Sequence, residues 1–486
     1  MSKNISIKTN AILNGFRTVI NLIFPLITFP YVSRTLSVSG MGKYNFSSSI
    51  ISYFLLIAAL GIDRYAVREG SKYRGNRKKI SDFVSTVFTI NIFSTIFAYI
   101  ILFTCLLAIP KLHNYLICIL IFSIQIIFTT IGTEWMYSIF EEYRYITIRS
   151  IVFKVISIFL LFLFVRKSSD YLAYAIVTVF ATVGSNILNF IHAKKFCDIH
   201  LNFKFNWKNT LLPILIIFAT NIAVQIYVNS DTTMLGFLKD DYTVGVYSVS
   251  TKIYSIVKSV LAAVMIVTIP RLSLYLGKHM NDEYDKLLYK VINVLIVFTL
   301  PVMVGLVMLS RNVILILSGQ NYIRSTSSLQ ILCFGIVLSI FSSIFNQCVL
   351  IPYKREKFSL YSSVVSAIIN IALNFILIPL MAEIGAAITT LVAEFLMMTM
   401  NYYSCRDITK KIFINKETKH NIYSVFIGLI IIVIDCFLVK KFFSNIWIQL
   451  ILSVIVSSIS YAVILFIFRN PIAEVVKQKL KVKLGV

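Results

Sequence analysis

The hexapeptide Gly42-Lys-Tyr-Asn-Phe-Ser47 returns 203 residues later as Gly245-Val-Tyr-Ser-Val-Ser250. Both copies fit the pattern GxYxxS. Both open an apolar run and follow a run that ends in polar residues. Three identities in six positions are slender alone; the shared place in the hydropathy pattern gives them weight. A second correspondence lies further on. Trp135–Phe140 and Gln347–Pro352 each close an apolar run, and each is followed by a charged patch, EEYR or YKRE, at an offset of 212. Two matched landmarks at nearly one offset predict a duplicated chain, with halves at 1–209 and 210–419 and a remainder at 420–486.

Composition says what the halves are made of. The chain has 486 residues, of which 58% are hydrophobic and 14% charged. An ordinary soluble domain carries about 25% charged residues. Mean hydropathy is +0.83. Apolar runs of about 18 residues or more recur throughout, long enough to cross a bilayer as helices. We count fourteen, from 12–32 to 445–468, with a tight boundary around Met381–Glu383. The fold class expected is an all-α polytopic membrane protein with about 14 transmembrane helices. They form two pseudo-symmetric six-helix lobes, followed by two additional helices and a basic tail.

Charge orients the spans. With the N-terminus inside, the inner connections carry 29 Lys and Arg against 10 on the other side, so both termini are expected to be cytoplasmic. Both halves then start at the inner face, the parallel kind of transporter repeat. The net charge of +25 belongs to this topology rather than to nucleic-acid binding. No zinc-like spacing and no Gly-rich phosphate loop occurs. No connection exceeds about 20 residues, which excludes a nucleotide-driven pump in one chain. The five histidines lie apart, at 113, 192, 200, 279 and 420, so no enzyme site is expected. Seven scattered cysteines read as small hydrophobes in packed helices. The opening MSKNISIKTN is polar and basic, and the run after it holds Arg17 without a small-residue cleavage pattern; it reads as a retained first helix.

Seven positive residues fall within the runs: Arg17, Arg64, Arg149, Lys154, Lys252, Lys258 and Lys290. Those near an end can snorkel. Lys154, Lys252 and Lys258 sit deeper, where a charge costs at least ~2.5 kcal/mol against lipid. A wet interior or an ionic partner is expected for them. Asp63 adjoins Arg64 as a local partner. Glu134, Glu394 and Asp435 are the acids in or near spans; each is either a coupling-ion site or a counter-charge. Asn221, Gln225 and Asn229 recur every four residues and share one helical face, read as cavity lining. Asp231 follows near the outer end, either a further cavity-lining candidate or a loop-entry residue that serves a turn before Gly236. Pro25, Pro30, Pro213 and Pro301 are candidate bends.

Several stretches together resemble the polysaccharide-biosynthesis membrane proteins, the Wzx-type flippases of O-antigen and capsule repeat units. They are FPYVSR at 29–34, GMGKYNF at 40–46, LGIDRYA at 60–66, Glu134-Trp135 with EEYRYI at 141–146, NSDTTMLG at 229–236, VGVYSVSTKI at 244–253 and GAAITTLVAE at 385–394. The likeness covers about 1–410. That family shares a superfamily with the multidrug exporters and the lipid II flippases. The resemblance implies two MATE-like lobes around a cavity in the bacterial inner membrane, and no cofactor. It implies an undecaprenyl-pyrophosphate-linked glycan as cargo and coupling to a proton or sodium gradient. A polysaccharide polymerase and a chain-length regulator are the protein partners expected. It makes Arg17, Arg64, Arg149 and Lys252 the cavity positions to test first. The alternative within the superfamily is a multidrug exporter, against which the excess of internal cations argues.

Overall fold

The structure is a computed structural model that describes residues 24–203 and 207–484. Among the described residues there are helices and no strands. Twelve helices among the described residues are long and apolar enough to cross a membrane. One of them, Glu356–Ile414, runs for 59 residues and is broken at Ala382 (φ 50°, ψ −126°), so it supplies two crossings. The first expected span, 12–32, is described from residue 24 onward, where a helix covers 24–35. The expected fourteen spans fit this pattern, and the protein is a multi-pass membrane protein.

By internal packing the chain divides into two compact units, Met1–Gly245 and Val246–Val486. The first contains α1 (24–35), α2 (Val38–Ala59), α3 (Ile62–Gly70), α4 (Arg77–Ala108), α5 (Leu116–Gly132), α6 (Glu134–Phe140) and α7 (Tyr143–Phe164). It continues with α8 (Tyr171–Val183), α9 (Asn186–Ala193), α10 (Trp207–Leu238) and the first turn of α11 (Asp241–Gly277). The second holds the rest of α11, then α12 (Asn281–Leu317) and α13 (Ser325–Ser343), which runs into a π-helical stretch, Ile344–Leu350. α14 (Glu356–Ile414), α15 (Lys416–Phe442), α16 (Ile446–Ile467) and α17 (Pro471–Leu484) complete it. The repeat boundary at 209/210 and the packing boundary at 245/246 differ by one helix. By sequence α10 opens the second half; by packing it lies along α2.

Prolines do not decide where the helices break. Pro213, Pro270, Pro301 and Pro379 all lie inside helices. The breaks fall instead at Leu60 and Gly61 (φ 47° and 75°), at Thr133 (φ 41°) and at Ala382. A carbonyl freed by such a break needs a donor, because hydrocarbon offers none. At the end of α2 the Ala58 carbonyl accepts from Asn91 Nδ2 at 2.7 Å and from Ser94 Oγ at 2.6 Å. At Ala382 the next residue, Glu383, is buried and accepts from Arg324 Nε and Nη2 at 2.5 and 2.9 Å. The turn there is tight: a Cβ on Gly385 would stand 2.3 Å from the Leu377 carbonyl oxygen.

The glycine and the tyrosine shared by the two GxYxxS copies do parallel work. A Cβ on Gly42 would lie 1.7 Å from the Asp241 carbonyl oxygen, and one on Gly245 would lie 2.1 Å from that of Val38. The starts of α2 and α11 therefore meet backbone to backbone, each at its own motif glycine. Tyr44 Oη donates to Thr178 Oγ1 at 3.1 Å, and the hydroxyls of Tyr247 and Thr390 share a hydrogen bond at 3.2 Å. Ser47 is buried beside Cys118 on α5, and Ser250 bonds Ser328 on α13 at 2.7 Å. The second pair of landmarks also matches. Glu141 and Lys354 both have φ 58°, and the next amide of each closes back on the helix, Glu142 N to Tyr137 O at 2.9 Å and Arg355 N to Leu350 O at 2.7 Å. These are left-handed C-caps of the kind glycine usually makes.

The last helices are held to α12 by a buried amide network. Asn421 Nδ2 donates to Asn293 Oδ1 at 2.7 Å, and Asn470 Nδ2 donates to Asn421 Oδ1 at 2.7 Å and to Ser424 Oγ at 2.6 Å. All four side chains are buried. Large side chains such as Phe97, Phe159, Phe375 and Phe426 are exposed, as a lipid-facing surface requires.

Candidate functional site

A cavity of about 430 Å³ lies inside the first unit. Its position follows from the two breaks in that unit. The left-handed turn at Leu60–Gly61 separates α2 from α3, and that at Thr133 separates α5 from α6. Ala58, Ala59, Ile62 and Asp63 line the cavity beside the first break, and Thr129, Thr130, Glu134 and Trp135 beside the second. α7 contributes Arg149, Ser150 and Lys154. Asn91, Thr178, Thr182, Ser185 and Asn186 supply amides and hydroxyls. Asn186 reaches the wall because Gly132 leaves room; a Cβ there would stand 2.5 Å from Asn186 Nδ2. That amide in turn donates to the Phe128 carbonyl at 2.9 Å.

Arg149 is the charge centre of this site. Its side chain is only 6% exposed, and Nη2 donates to Glu134 Oε1 at 2.8 Å; Glu134 is 43% exposed. The guanidinium carbon also sits 6.0 Å over the Tyr145 ring. Among the described residues, Arg149 Nε and Nη1 and Trp135 Nε1 are buried donors without a hydrogen-bond partner. Buried donors left without acceptors are rare and unfavourable, and both side chains belong to the cavity wall. Lys154 Nζ stands 5.7 Å over the Phe24 ring at the same cavity. The site combines two cations with two carboxylates, and the neutral wall is rich in hydroxyls and amides. It can accept an anion and can hydrogen-bond a hydroxylated molecule.

The other expected positions are distributed elsewhere. Arg17 lies outside the described residues. Arg64 is exposed on α3 and is not among the cavity-lining residues, although its neighbour Asp63 is. Asn221, Gln225 and Asn229 share a half-buried face of α10 and do not line the cavity. Gln225 Nε2 is 3.5 Å from the Ser52 carbonyl oxygen, and Thr233 bonds Ser49 at 3.1 Å and Tyr53 at 3.2 Å, so this face meets α2. The turn expected after Asp231 is corrected: α10 continues to Leu238, Asp231 is a buried helical residue, and Gly236 lies within the helix against the Phe46 ring.

In the second unit Glu394 is 3% exposed and accepts from Tyr254 Oη at 2.9 Å and from Lys258 Nζ at 3.2 Å; Lys258 is 34% exposed. The acid and the base, each singled out for its depth, are thus partners. Lys252 is half-buried and makes no ion pair among the described residues. Asp435 is half-buried, and its Oδ2 has no hydrogen-bond partner among them. Sequence reasoning missed Trp135, Asn91, Thr130 and Asn186 as cavity residues. Only Trp135 carried a signal, as an indole beside an acid at the end of a span.

Comparison with known proteins agrees with this architecture. Residues 7–276 match the family described as polysaccharide biosynthesis protein, and residues 217–376 match MatE. The chain is 22% identical over 407 residues to a putative O-antigen transporter of Escherichia coli (strain K12), covering 82% of this chain and 96% of the relative. It is 23% identical over 374 residues to the capsular polysaccharide biosynthesis protein CapF of Staphylococcus aureus, covering 75% and 90%. Among solved structures, the lipid II flippase MurJ in an inward closed conformation superposes with a TM-score of 0.75 at 17% identity, covering 96% of this chain and all of that one. An inward-facing multidrug resistance MATE family transporter of the MOP superfamily gives 0.62 at 14% identity, covering 82% and 99%.

Proposed function

The chain belongs to the polysaccharide biosynthesis protein family, and from that premise we propose that it is a flippase for undecaprenyl-pyrophosphate-linked oligosaccharide repeat units. It carries them from the cytoplasmic to the outer leaflet of a bacterial inner membrane, with both its own termini cytoplasmic. No bond is made or broken. The observation that carries this reading is Arg149, which lines a hydroxyl- and amide-rich cavity and has two guanidinium nitrogens unmet by the described residues. A diphosphate supplies acceptors for such donors, and charge-assisted hydrogen bonds to it are the strong kind. The glycan supplies hydroxyls for Asn91, Asn186 and the threonines. The polyprenyl chain stays in lipid.

The two halves act as lobes that expose the bound headgroup first to one side and then to the other. The parallel work of the two GxYxxS copies supports that duplication. An inside-negative potential favours export of the anion by ~2.3 kcal/mol per charge per 100 mV. Proton or sodium return adds to this through Glu134, Glu394 or Asp435. A polysaccharide polymerase and a chain-length regulator receive the product.

The test is a deletion strain with the purified protein beside it. Cells lacking the protein accumulate lipid-linked repeat units on the cytoplasmic face, and proteoliposomes make those units accessible to an externally added glycosidase. Full polymer export from the deletion strain, together with no movement in liposomes, overturns the proposal. Raised sensitivity to organic cations in the same strain, with polymer intact, supports drug export instead.

A further inference from the structure

We propose that the seam between α12, α15 and α16 is a binding site for one anionic phospholipid, distinct from the cargo site. The seam has two parts that share the same three helices. One is an apolar hollow of about 270 Å³, whose walls include Pro301, Gly305 and Leu309 of α12, Cys436 of α15, and Leu450 and Val454 of α16. Gly305 opens it: a Cβ there would meet nothing within 4 Å. The other is a basic hollow of about 300 Å³ lined by Arg311, Asn312, Leu315, Lys440, Ser444, Ile446 and Gln449. Each helix passes directly from one to the other. Leu309 and Val313 bracket Arg311; Cys436 and Lys440 are one turn apart, as are Ile446 and Leu450.

The basic end suits a phosphodiester. No carboxylate lines it. Arg311 forms no ion pair or hydrogen bond with the described residues, and Lys440 Nζ donates only to the Met308 carbonyl. Asn312 Nδ2 donates to Gln449 Oε1 at 2.7 Å, which holds both amides at the rim. Two cations without a counter-ion, beside amides and the Ser444 hydroxyl, recognise a single phosphate with a hydroxylated head.

Size selects a phospholipid over the cargo. From Val313 to Pro301 the α12 wall runs about 18 Å, close to the ~15 Å of one leaflet's hydrocarbon. A two-chain lipid of one leaflet matches that depth. The head pocket, at about 300 Å³, is of the size of a phosphate with a small hydroxylated head. On the charge-based orientation this end faces the outer leaflet.

The experiment is native mass spectrometry of the full-length protein from mixed micelles holding phosphatidylglycerol and phosphatidylcholine with identical chains. Each cation contributes about fivefold, so retention favours phosphatidylglycerol by about twenty-five-fold. Arg311→Gln/Lys440→Gln brings the ratio close to one. Arg311→Lys/Lys440→Arg keeps it, which separates loss of charge from loss of fold. Gly305→Leu places a side chain in the hollow, where its Cβ meets nothing within 4 Å, and removes retention of both lipids. Equal retention of the two lipids by the wild type overturns the proposal. So does a preference unchanged in the double glutamine variant or in Gly305→Leu. Undecaprenyl phosphate, added as a third competitor, distinguishes the source: if it displaces phosphatidylglycerol at equimolar concentration and is itself lost in the glutamine variant, the seam belongs to the cargo and the phospholipid assignment fails.

Discussion

Removing Glu134 and Arg149 separately and together tests whether the arginine is there to bind or merely to neutralise. The pair is 2.8 Å apart, with the arginine buried and the carboxylate nearly half exposed. Charge centres about 4 Å apart at an effective dielectric constant of about 20 attract by ~4 kcal/mol. Water reaches the carboxylate, so roughly half of that survives, giving an expected coupling of ~2 kcal/mol. Glu134→Leu leaves a guanidinium buried beside leucine and destabilises most, by about 3 kcal/mol, the lower end for a broken buried pair. Arg149→Leu destabilises less, because the exposed carboxylate can hydrate. The double variant is more stable than the sum of the singles implies. Reversible unfolding in mixed micelles measures the cycle; single effects that add within about 0.5 kcal/mol would refute the pair as an energetic unit. The double variant then serves the functional question. It folds, yet it lacks the guanidinium proposed for the diphosphate, so transport in proteoliposomes falls at least tenfold. Transport at the wild-type rate refutes anion binding by Arg149 and leaves it a counter-ion.

Four further outcomes are expected. Gly42→Ala and Gly245→Ala force carbon into the opposing main chain and destabilise by at least 1–3 kcal/mol, whereas Gly277→Ala, with nothing within 4 Å, does not; thermal unfolding distinguishes them. Lys354→Gly relieves a left-handed backbone and stabilises by about 1 kcal/mol. Glu141→Gly gains less, because Glu141 also pairs with Arg74 at 2.8 Å, and a difference scan of melting temperatures reads both. Asn421→Ala strips the amide network of its centre and costs about 2–3 kcal/mol; faster proteolysis near Asn415 than elsewhere is the sign that the last helices have loosened.

Span number and class were legible because hydropathy over about 18 residues is a bulk property that no single contact overrides. The boundary at Met381–Glu383 was legible too, since an acid interrupts two apolar runs. The breaks at Leu60 and Thr133 were not. Threonine in the left-handed region leaves no mark in the sequence, a single glycine at 61 inside an apolar run is a weak one, and the apolar run 115–139 reads as one helix although it is two. Those two hidden turns shape the cavity, so most of its wall escaped notice. Arg149, Lys154 and Glu134 were found because a charge in such a run is conspicuous by composition alone. Their partnership was not, for pairing depends on which faces of two helices meet. For the α10 amides a polar stripe is visible in sequence, but whether it meets water or another helix's carbonyls is decided by packing.

Two of the ion pairs with a buried member differ in one respect that matters while the chain is still on the ribosome. Glu134 and Arg149 are 15 residues apart, so both enter the bilayer with one helical hairpin and each can mask the other at once. Lys258 and Glu394 are separated by 136 residues. At synthesis rates of about 5–20 residues per second, the lysine waits roughly 7–27 s for its carboxylate. During that interval it needs a provisional shelter, at the translocon wall or at the membrane surface, before its helix can settle to final depth.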